Sequence, residues 1–216
     1  NPCKSVRIRK HSKPLQDPFS NDEKKRILRT IAKLYGTNHQ RSTYYTLLFE
    51  TGMRPSEALA LTWPDYDGQF LTVTKTIVCG KHKACTKNHE NRKVYVTQKL
   101  RGVLNNHYTR FEQKHIFVNS KGGPYLNTTR LDEHWRKTLV SAKVRHRRPH
   151  NCRHTYASIG LSAGIEPAFL AGQLGHTLEV FYRTYAAWIN EDKNIEQYKM
   201  LDALGNSCPK VAQNKK

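Results

Sequence analysis

The stretch QFLTVTKTIVCGKHKACTKNHENRKVYVT, residues 69–97, decides how the chain folds. Its two ends, QFLTVTKTIV (69–78) and RKVYVT (92–97), are rich in β-branched residues and partly alternate between apolar and polar. Alternation with a period of two is the mark of half-buried strands. Between them lie Gly, Lys, His and Asn residues. The segment therefore reads as a small antiparallel sheet with a long, basic connection, set into a chain whose other segments follow a helical period.

Upstream, Ser20-Asn21-Asp22-Glu23 has the form of a capping box that opens a helix. Ile27, Ile31 and Leu34 supply its apolar face, and Gly36 stops it. A second helix is expected over about 42–50, with Tyr45, Leu47 and Leu48 for packing, and Gly52 breaks it. Pro55 suits the first turn of a third helix that carries Glu57, Leu59 and Leu61. Downstream, helical patterns cover about 98–113, 128–143, 150–163, 167–173, 178–189 and 191–204. HIFVNS (115–120), followed by Gly122-Gly123, is a short strand or loop between helices. The fold class is mainly α with a small antiparallel β-sheet, that is, α+β. Residues 1–18 are basic, contain prolines and lack an apolar period, as an arm or interdomain linker would.

Charge narrows the function. Thirty-seven Lys and Arg against 17 Asp and Glu give a formal net charge of +20 over 216 residues. Such a surplus suits a polyanionic partner, with nucleic acid as the first candidate and a membrane surface as the rival. The sequence contains no apolar run long enough to span a membrane and no visible signal peptide. Five cysteines in no tight framework suit free thiols in a reducing compartment. Cys79, His82, Cys85 and His89 match no common zinc spacing, so this stretch reads as a Lys-rich hairpin tip rather than a metal site.

Three constellations bear on chemistry. In HNCRH, His150 and Arg153 are three residues apart on one helical face, and His154 lies close by. A guanidinium fits two phosphate oxygens, and a neighbouring imidazole can donate a hydrogen bond or move a proton. Alone, such a pair also suits simple contact with a DNA backbone. In TGMRPSE, Arg54 lies between a Gly break and a Pro start, at a helix N-terminus that favours anions. Glu57, three residues on, is placed to hold Arg54, although a surface pair of this kind often has little energetic value. In LGHTLEVFYRTYAAW (174–188), Gly175 ends one helix and Thr177 caps the next, which leaves His176 in the junction. The helix that follows carries Leu178, Phe181, Tyr182, Tyr185 and Ile189 as an amphipathic stripe. On periodicity alone both tyrosines are core residues, and nothing in the period separates them.

Together, TGMRPSEALALTW (51–63), HNCRHTYAS (150–158) and LGH (174–176) with a tyrosine nine positions after the histidine resemble the tyrosine recombinase family, in particular phage-type integrases. The resemblance runs over about 18–190, the family's catalytic domain. It implies a helical domain with a three-stranded sheet that wraps DNA alongside a smaller N-terminal core-binding domain. That smaller domain is missing here, in keeping with a start at Asn1, and residues 1–18 become the interdomain linker, 19–190 the catalytic domain and 191–216 a C-terminal helix and tail. By resemblance Arg54, His150, Arg153 and His176 match the catalytic positions around a scissile phosphate, with Glu57 and His154 in support, and Tyr185 is the nucleophile. Tyr182 lies three residues too early and keeps a packing role. The family's hairpin lysine matches Lys87, with Lys83 and Lys93 as alternatives.

The implied reaction breaks and rejoins DNA through a 3′-phosphotyrosine and requires no metal or other cofactor. The implied setting is a homotetramer on paired DNA sites, with exchange of the C-terminal segment between protomers, DNA-bending accessory proteins and the cytoplasm of a bacterial host. Two other outcomes share parts of this pattern: a type IB topoisomerase or telomere resolvase, and a DNA-binding protein without catalysis.

Overall fold

The computed structural model describes residues 16–78, 80–84 and 91–189. Helix α1 (Asn21–Tyr35) opens on the expected capping box. Ser20 Oγ accepts from the Glu23 amide at 3.1 Å, and the Glu23 carboxylate accepts from the Ser20 amide at 2.8 Å. Its inward face is Ile27 and Ile31. Helix α2 (Gln40–Thr51) is the central rod. It buries Tyr44, Tyr45, Leu47, Leu48 and Phe49 and packs against α1 and later helices. Gly52 ends it at φ +64° and sends the chain into α3 (Pro55–Ala60), with Pro55 in the first turn.

The β region differs in detail from the expected pair of strands. The run 69–78 breaks at Thr74 into β1 (Phe70–Val73) and β2 (Lys75–Val78). Strand β1 pairs antiparallel with β4 (Arg92–Tyr95), Leu71 opposite Val94, whereas β2 pairs with β3 (Lys81–Ala84), Thr76 opposite Lys83. Four residues of β4 are enough to satisfy only four residues of β1. The rest of the run forms its own hairpin and leans on α3. The described sheet is thus two short antiparallel pairs, with Leu71, Val73, Val94 and Val96 turned to the core.

After the sheet, α4 (Gln98–Asn105) is shorter than the expected 98–113. Asn105-Asn106 favours termination, and the His107 ring caps the next turn by accepting from the Thr109 amide at 3.4 Å. Phe111, which extended the apolar period, is 90% exposed. The 115–120 segment runs beside the end of α3, with the Ile116 amide donating to the Leu61 carbonyl at 3.2 Å. Then come α5 (Thr129–Ser141), α6 (Asn151–Ser162), α7 (Pro167–Leu174) and α8 (Leu178–Tyr185). The expected helix over 178–189 tightens at Tyr185, φ −122°, into a single 3₁₀ turn, Ala186–Trp188.

There are two apolar clusters, and α6 lies between them. Cys152 belongs to the large core of α1–α5 and the sheet, while Ala157 and Leu161 belong to a smaller one with Leu170, Leu174, Phe181 and Tyr185. The residues of α6 between those contacts, Arg153 and His154, are therefore held at the seam. Gly160 lets α7 approach closely, since a Cβ there would sit 2.8 Å from Leu170 Cδ2. Among the described residues, no helix is long and apolar enough to cross a membrane. The expected helix over 191–204 lies outside the described residues.

Candidate active site

Arg54 and Glu57 meet as a product of local sequence. Arg54 is the residue before the first turn of α3, and Pro55 fixes the helical start. Glu57 turns back one turn. Its carboxylate accepts from the Arg54 amide at 3.0 Å and from Arg54 Nη1 at 2.7 Å. Arg92 of β4 approaches the same carboxylate from the other side, Nη2 to Oε2 at 2.5 Å. Glu57 is only 3% exposed. Burial works to raise its pKa, but Arg92 and then Arg54 outweigh burial and hold the carboxyl at about 2. The pair expected to be a weak surface contact is instead a buried three-member cluster.

Arg153 is 1% exposed at the seam of α6. Nη1 donates to the Gly52 carbonyl at 3.0 Å and Nη2 to the Leu174 carbonyl at 2.6 Å. These bonds tie the ends of α2 and α7 to one guanidinium. Nη2 also lies 2.8 Å from His176 Nε2. Burial, then the nearby Arg54, lowers the Arg153 pKa to about 9, which leaves it cationic at neutral pH.

His176 occupies the predicted junction. Gly175 ends α7 at φ +68°, and Thr177 caps α8 by accepting from the Val180 amide at 3.3 Å. Nε2 faces a guanidinium donor, so it is the acceptor nitrogen and Nδ1 carries the proton. Nδ1 is buried and has no hydrogen-bond partner among the described residues. Burial, then Arg153, Arg54 and Arg92, pushes the His176 pKa down to about 3. His150, at the N-terminal edge of α6, is exposed. Burial of part of its ring, then Arg153 and Arg54, lowers its pKa, an effect that solvent softens.

Tyr185 lies under these groups. It is fully buried, its ring is 6.3 Å from that of His176 at 27°, and its hydroxyl is 3.0 Å from His154 Nδ1. Burial raises the phenol pKa, while Arg153 and Arg54 pull against that rise. The two tyrosines of α8 are now separated. Tyr182 is 43% exposed and outside the cluster, as is Leu178 at 48%. The expected packing role of Tyr182 is therefore reduced to an edge contact with Phe181, because α8 is buried only along Phe181 and Tyr185.

Residues from four segments, 52–57, 92, 150–154 and 173–185, thus converge. Two guanidiniums (Arg54, Arg92) pair with one carboxylate, Glu57, a third (Arg153) lies alongside, and the imidazoles of His154 and His176 are neutral at neutral pH. Such a cluster is built to receive an anion. Lys87 lies outside the described residues, as do Cys79, Cys85 and His89. Lys83 is opposite Thr76, whose hydroxyl is 3.0 Å from that of Ser56, so it shares the hairpin face turned to α3. Lys93 is out of phase with Arg92 and lies over the Phe70 ring instead.

Two residues of the cluster escaped the sequence reading. Arg92 joins Glu57 to α7 through Nε, which donates to the Gln173 carbonyl at 3.0 Å. Gln173 clamps β4, its side chain accepting from the Tyr95 amide at 2.8 Å and donating to the Lys93 carbonyl at 3.3 Å. A signal existed for Arg92: it is in phase with Val94 and Val96, the inward positions of its strand. No sequence signal marks Gln173.

Comparisons with known proteins bear on the family and the fold. The Phage integrase family model matches residues 18–190. IntQ of Escherichia coli strain K12, named as a defective protein, is 25% identical over 245 residues, covering 99% of this chain and 60% of IntQ. The chain thus spans about 60% of that relative's length. The catalytic domain of bacteriophage HP1 integrase has a TM-score of 0.63 at 21% identity, over 89% of this chain and 98% of that one. The Tn1549 transposon integrase, solved in complex with circular intermediate DNA, has a TM-score of 0.69 at 18% identity, over 89% of this chain and 68% of that one. At such identities the two structures establish the fold, a tyrosine recombinase catalytic domain. The family match covers every residue of the Arg54–Tyr185 cluster, and the chain belongs to the phage integrase family of tyrosine recombinases.

Proposed function

We propose that this chain is the catalytic part of a site-specific DNA recombinase that cleaves and rejoins strands through a phosphotyrosine. The observation that carries this reading is a tyrosine, Tyr185, gathered with two arginines and three histidines from separate segments on a chain of net charge +20. A phenol at neutral pH is a poor nucleophile, because its ordinary pKa is about 10. It needs a proton acceptor and a phosphate whose charge is neutralised. Arg54 and Arg153 are suited to hold the non-bridging oxygens and stabilise the pentavalent transition state. His176 Nδ1–H is a buried donor without a partner among the described residues, which suits a hydrogen bond to the same phosphate. His150 stands at the exposed edge, where DNA would approach. Lys87 is assigned to protonate the leaving 5′-oxygen.

Tyr185 is fully buried. Attack therefore requires the phenol to move towards the phosphate or the phosphate to displace what covers it, a gating step of the usual kind. Neighbours of the same fold include a recombinase solved with DNA, in keeping with DNA as the partner here. A homotetramer on paired sites, with the C-terminal segment passed between protomers and accessory proteins bending the DNA, completes the proposal. Bacterial cytoplasm is the setting. A nicked suicide DNA site that loses a short 3′ fragment tests the reading. The wild-type protein and Tyr182→Phe are expected to trap a covalent complex, and Tyr185→Phe none. Relaxation of supercoiled plasmid without sequence preference would instead favour topoisomerase chemistry. Salt-sensitive binding with no adduct would leave only a DNA-binding module.

A further inference from the structure

We infer that His154 is the side chain that takes the proton from the Tyr185 hydroxyl as the phenol attacks phosphate. This rests on the recombinase reading above and assigns one of its steps. Among the described residues, His154 Nδ1 is the ring nitrogen within hydrogen-bond distance of the phenol oxygen, at 3.0 Å. His176 is engaged differently. Its Nε2 faces Arg153 Nη2 at 2.8 Å, its remaining nitrogen is already protonated, and its ring lies nearly parallel to the tyrosine rather than edge-on. His150 reaches the pair only through His154, with the two rings T-shaped and 5.2 Å apart.

The protonation pattern follows from the neighbours. The Arg153 and Arg54 guanidiniums lie near the phenol oxygen and favour negative charge on it. The phenol O–H donates to His154 Nδ1, which places the imidazole proton on Nε2. Burial first, then His150 and Arg153, keeps the His154 imidazole neutral, with a pKa of about 4. A neutral ring is what a proton acceptor requires. Because burial also raises the phenol pKa, no free phenolate accumulates. The proton moves only as the O–P bond forms, when the phosphate's negative charge is close enough to favour an imidazolium.

The step balances. The phenol O–H bond breaks, its proton goes to Nδ1, the phenol oxygen bonds to phosphorus, and the P–O5′ bond breaks with O5′ taking a proton from Lys87. In the return step a 5′-hydroxyl gives its proton to Lys87 and attacks. The P–O bond to Tyr185 then breaks, and the phenolate recovers its proton from Nδ1. The groups that face His154 and set its titration are His150 and Arg153 on its own helix, Tyr185 from α8 and His176 from the junction.

The test is single-turnover cleavage of the suicide DNA site by the full chain between about pH 3.5 and 9, a window that spans the His154 pKa of about 4, with DNA affinity and thermal unfolding measured alongside. His154→Asn keeps an acceptor near the Nδ1 position but holds no proton. It is expected to bind DNA within about threefold of wild type and to cleave about a hundredfold to ten-thousandfold more slowly. The acid limb of the wild-type profile should be lost and the residual rate should climb with pH. Should His154→Asn fail to unfold cooperatively, His154→Gln carries the same test. Cleavage within threefold of wild type, or a slower rate with an unchanged pH profile, overturns the inference while the recombinase reading stands. A wild-type protein that traps no adduct overturns both.

Discussion

Glu57→Gln isolates the electrostatic brace beneath the proposed phosphate site. The substitution keeps the shape of the side chain and removes the single negative charge between Arg54 and Arg92. Its magnitude follows from the carboxyl itself, whose pKa falls from 4.5 to about 2 in the folded chain. At about 1.4 kcal/mol per unit, the charged form contributes about 3 kcal/mol that the neutral form does not. That agrees with the range of about 3–5 kcal/mol for breaking a buried ion pair from one side. The sign is fixed because the folded pKa is depressed. The contribution is complete above the unfolded value, near pH 4.5, and is lost as pH falls towards 2. Urea unfolding of wild type and Glu57→Gln at pH 7, 5, 4 and 3 should give a stability gap of about 3 kcal/mol at the two higher values that narrows at the two lower ones. A gap under about 1 kcal/mol at pH 7, or one that stays constant down to pH 3, would refute the brace.

Other expectations concern particular contacts. Gly52→Ala meets two obstacles, a left-handed φ of +64° and a Cβ that would lie 2.6 Å from Leu174 Cδ2 and 2.8 Å from Tyr156 Cδ1. A loss of about 2–4 kcal/mol in denaturant unfolding is expected, and cleavage should fall with it because the Gly52 carbonyl holds Arg153. Arg92→Lys keeps the charge but cannot bridge Glu57 and the Gln173 carbonyl together. Single-turnover cleavage should slow by tenfold or more at unchanged DNA affinity, and an equal loss in affinity would argue for direct DNA contact instead. Lys87→Ala should cleave slowly on ordinary DNA and regain most of its rate when sulfur replaces the leaving 5′-oxygen, since a thiolate leaves without a proton. Rescue of Lys83→Ala and not Lys87→Ala would move the proton donor to the β2–β3 hairpin.

The parts legible in the sequence are those set by local chemistry. The capping box at Ser20, the break at Gly52 and the Gly175–Thr177 junction are each specified within a few residues. The mainly helical class with a small antiparallel β part follows from the change in period at 69–97. What was not legible depends on partners distant in sequence. At Thr74 a β-rich run passes from one partner, β4, to another, β3, and that change of partner is invisible from the run itself. The helical pattern through Tyr108 and Phe111 continues past α4, but among the described residues no second surface comes to cover it. At the site, the order of motifs gathers Arg54, His150, Arg153, His176 and Tyr185, and the structure brings them together. The bond from His154 to Tyr185 spans 31 residues, and that from Arg92 to Glu57 spans 35. Helical spacing places His154 near His150 but does not say which element covers it.

The central claim is that Tyr185 is the nucleophile, and the most direct measurement is to digest the trapped covalent DNA complex and map the nucleotide-bearing peptide by mass spectrometry. The account predicts a 3′-phosphate ester on the tyrosine of the peptide that contains Tyr185, with Tyr182 unmodified and no adduct in Tyr185→Phe. A 3′-phosphate on Tyr182, or an adduct that survives Tyr185→Phe, would contradict it.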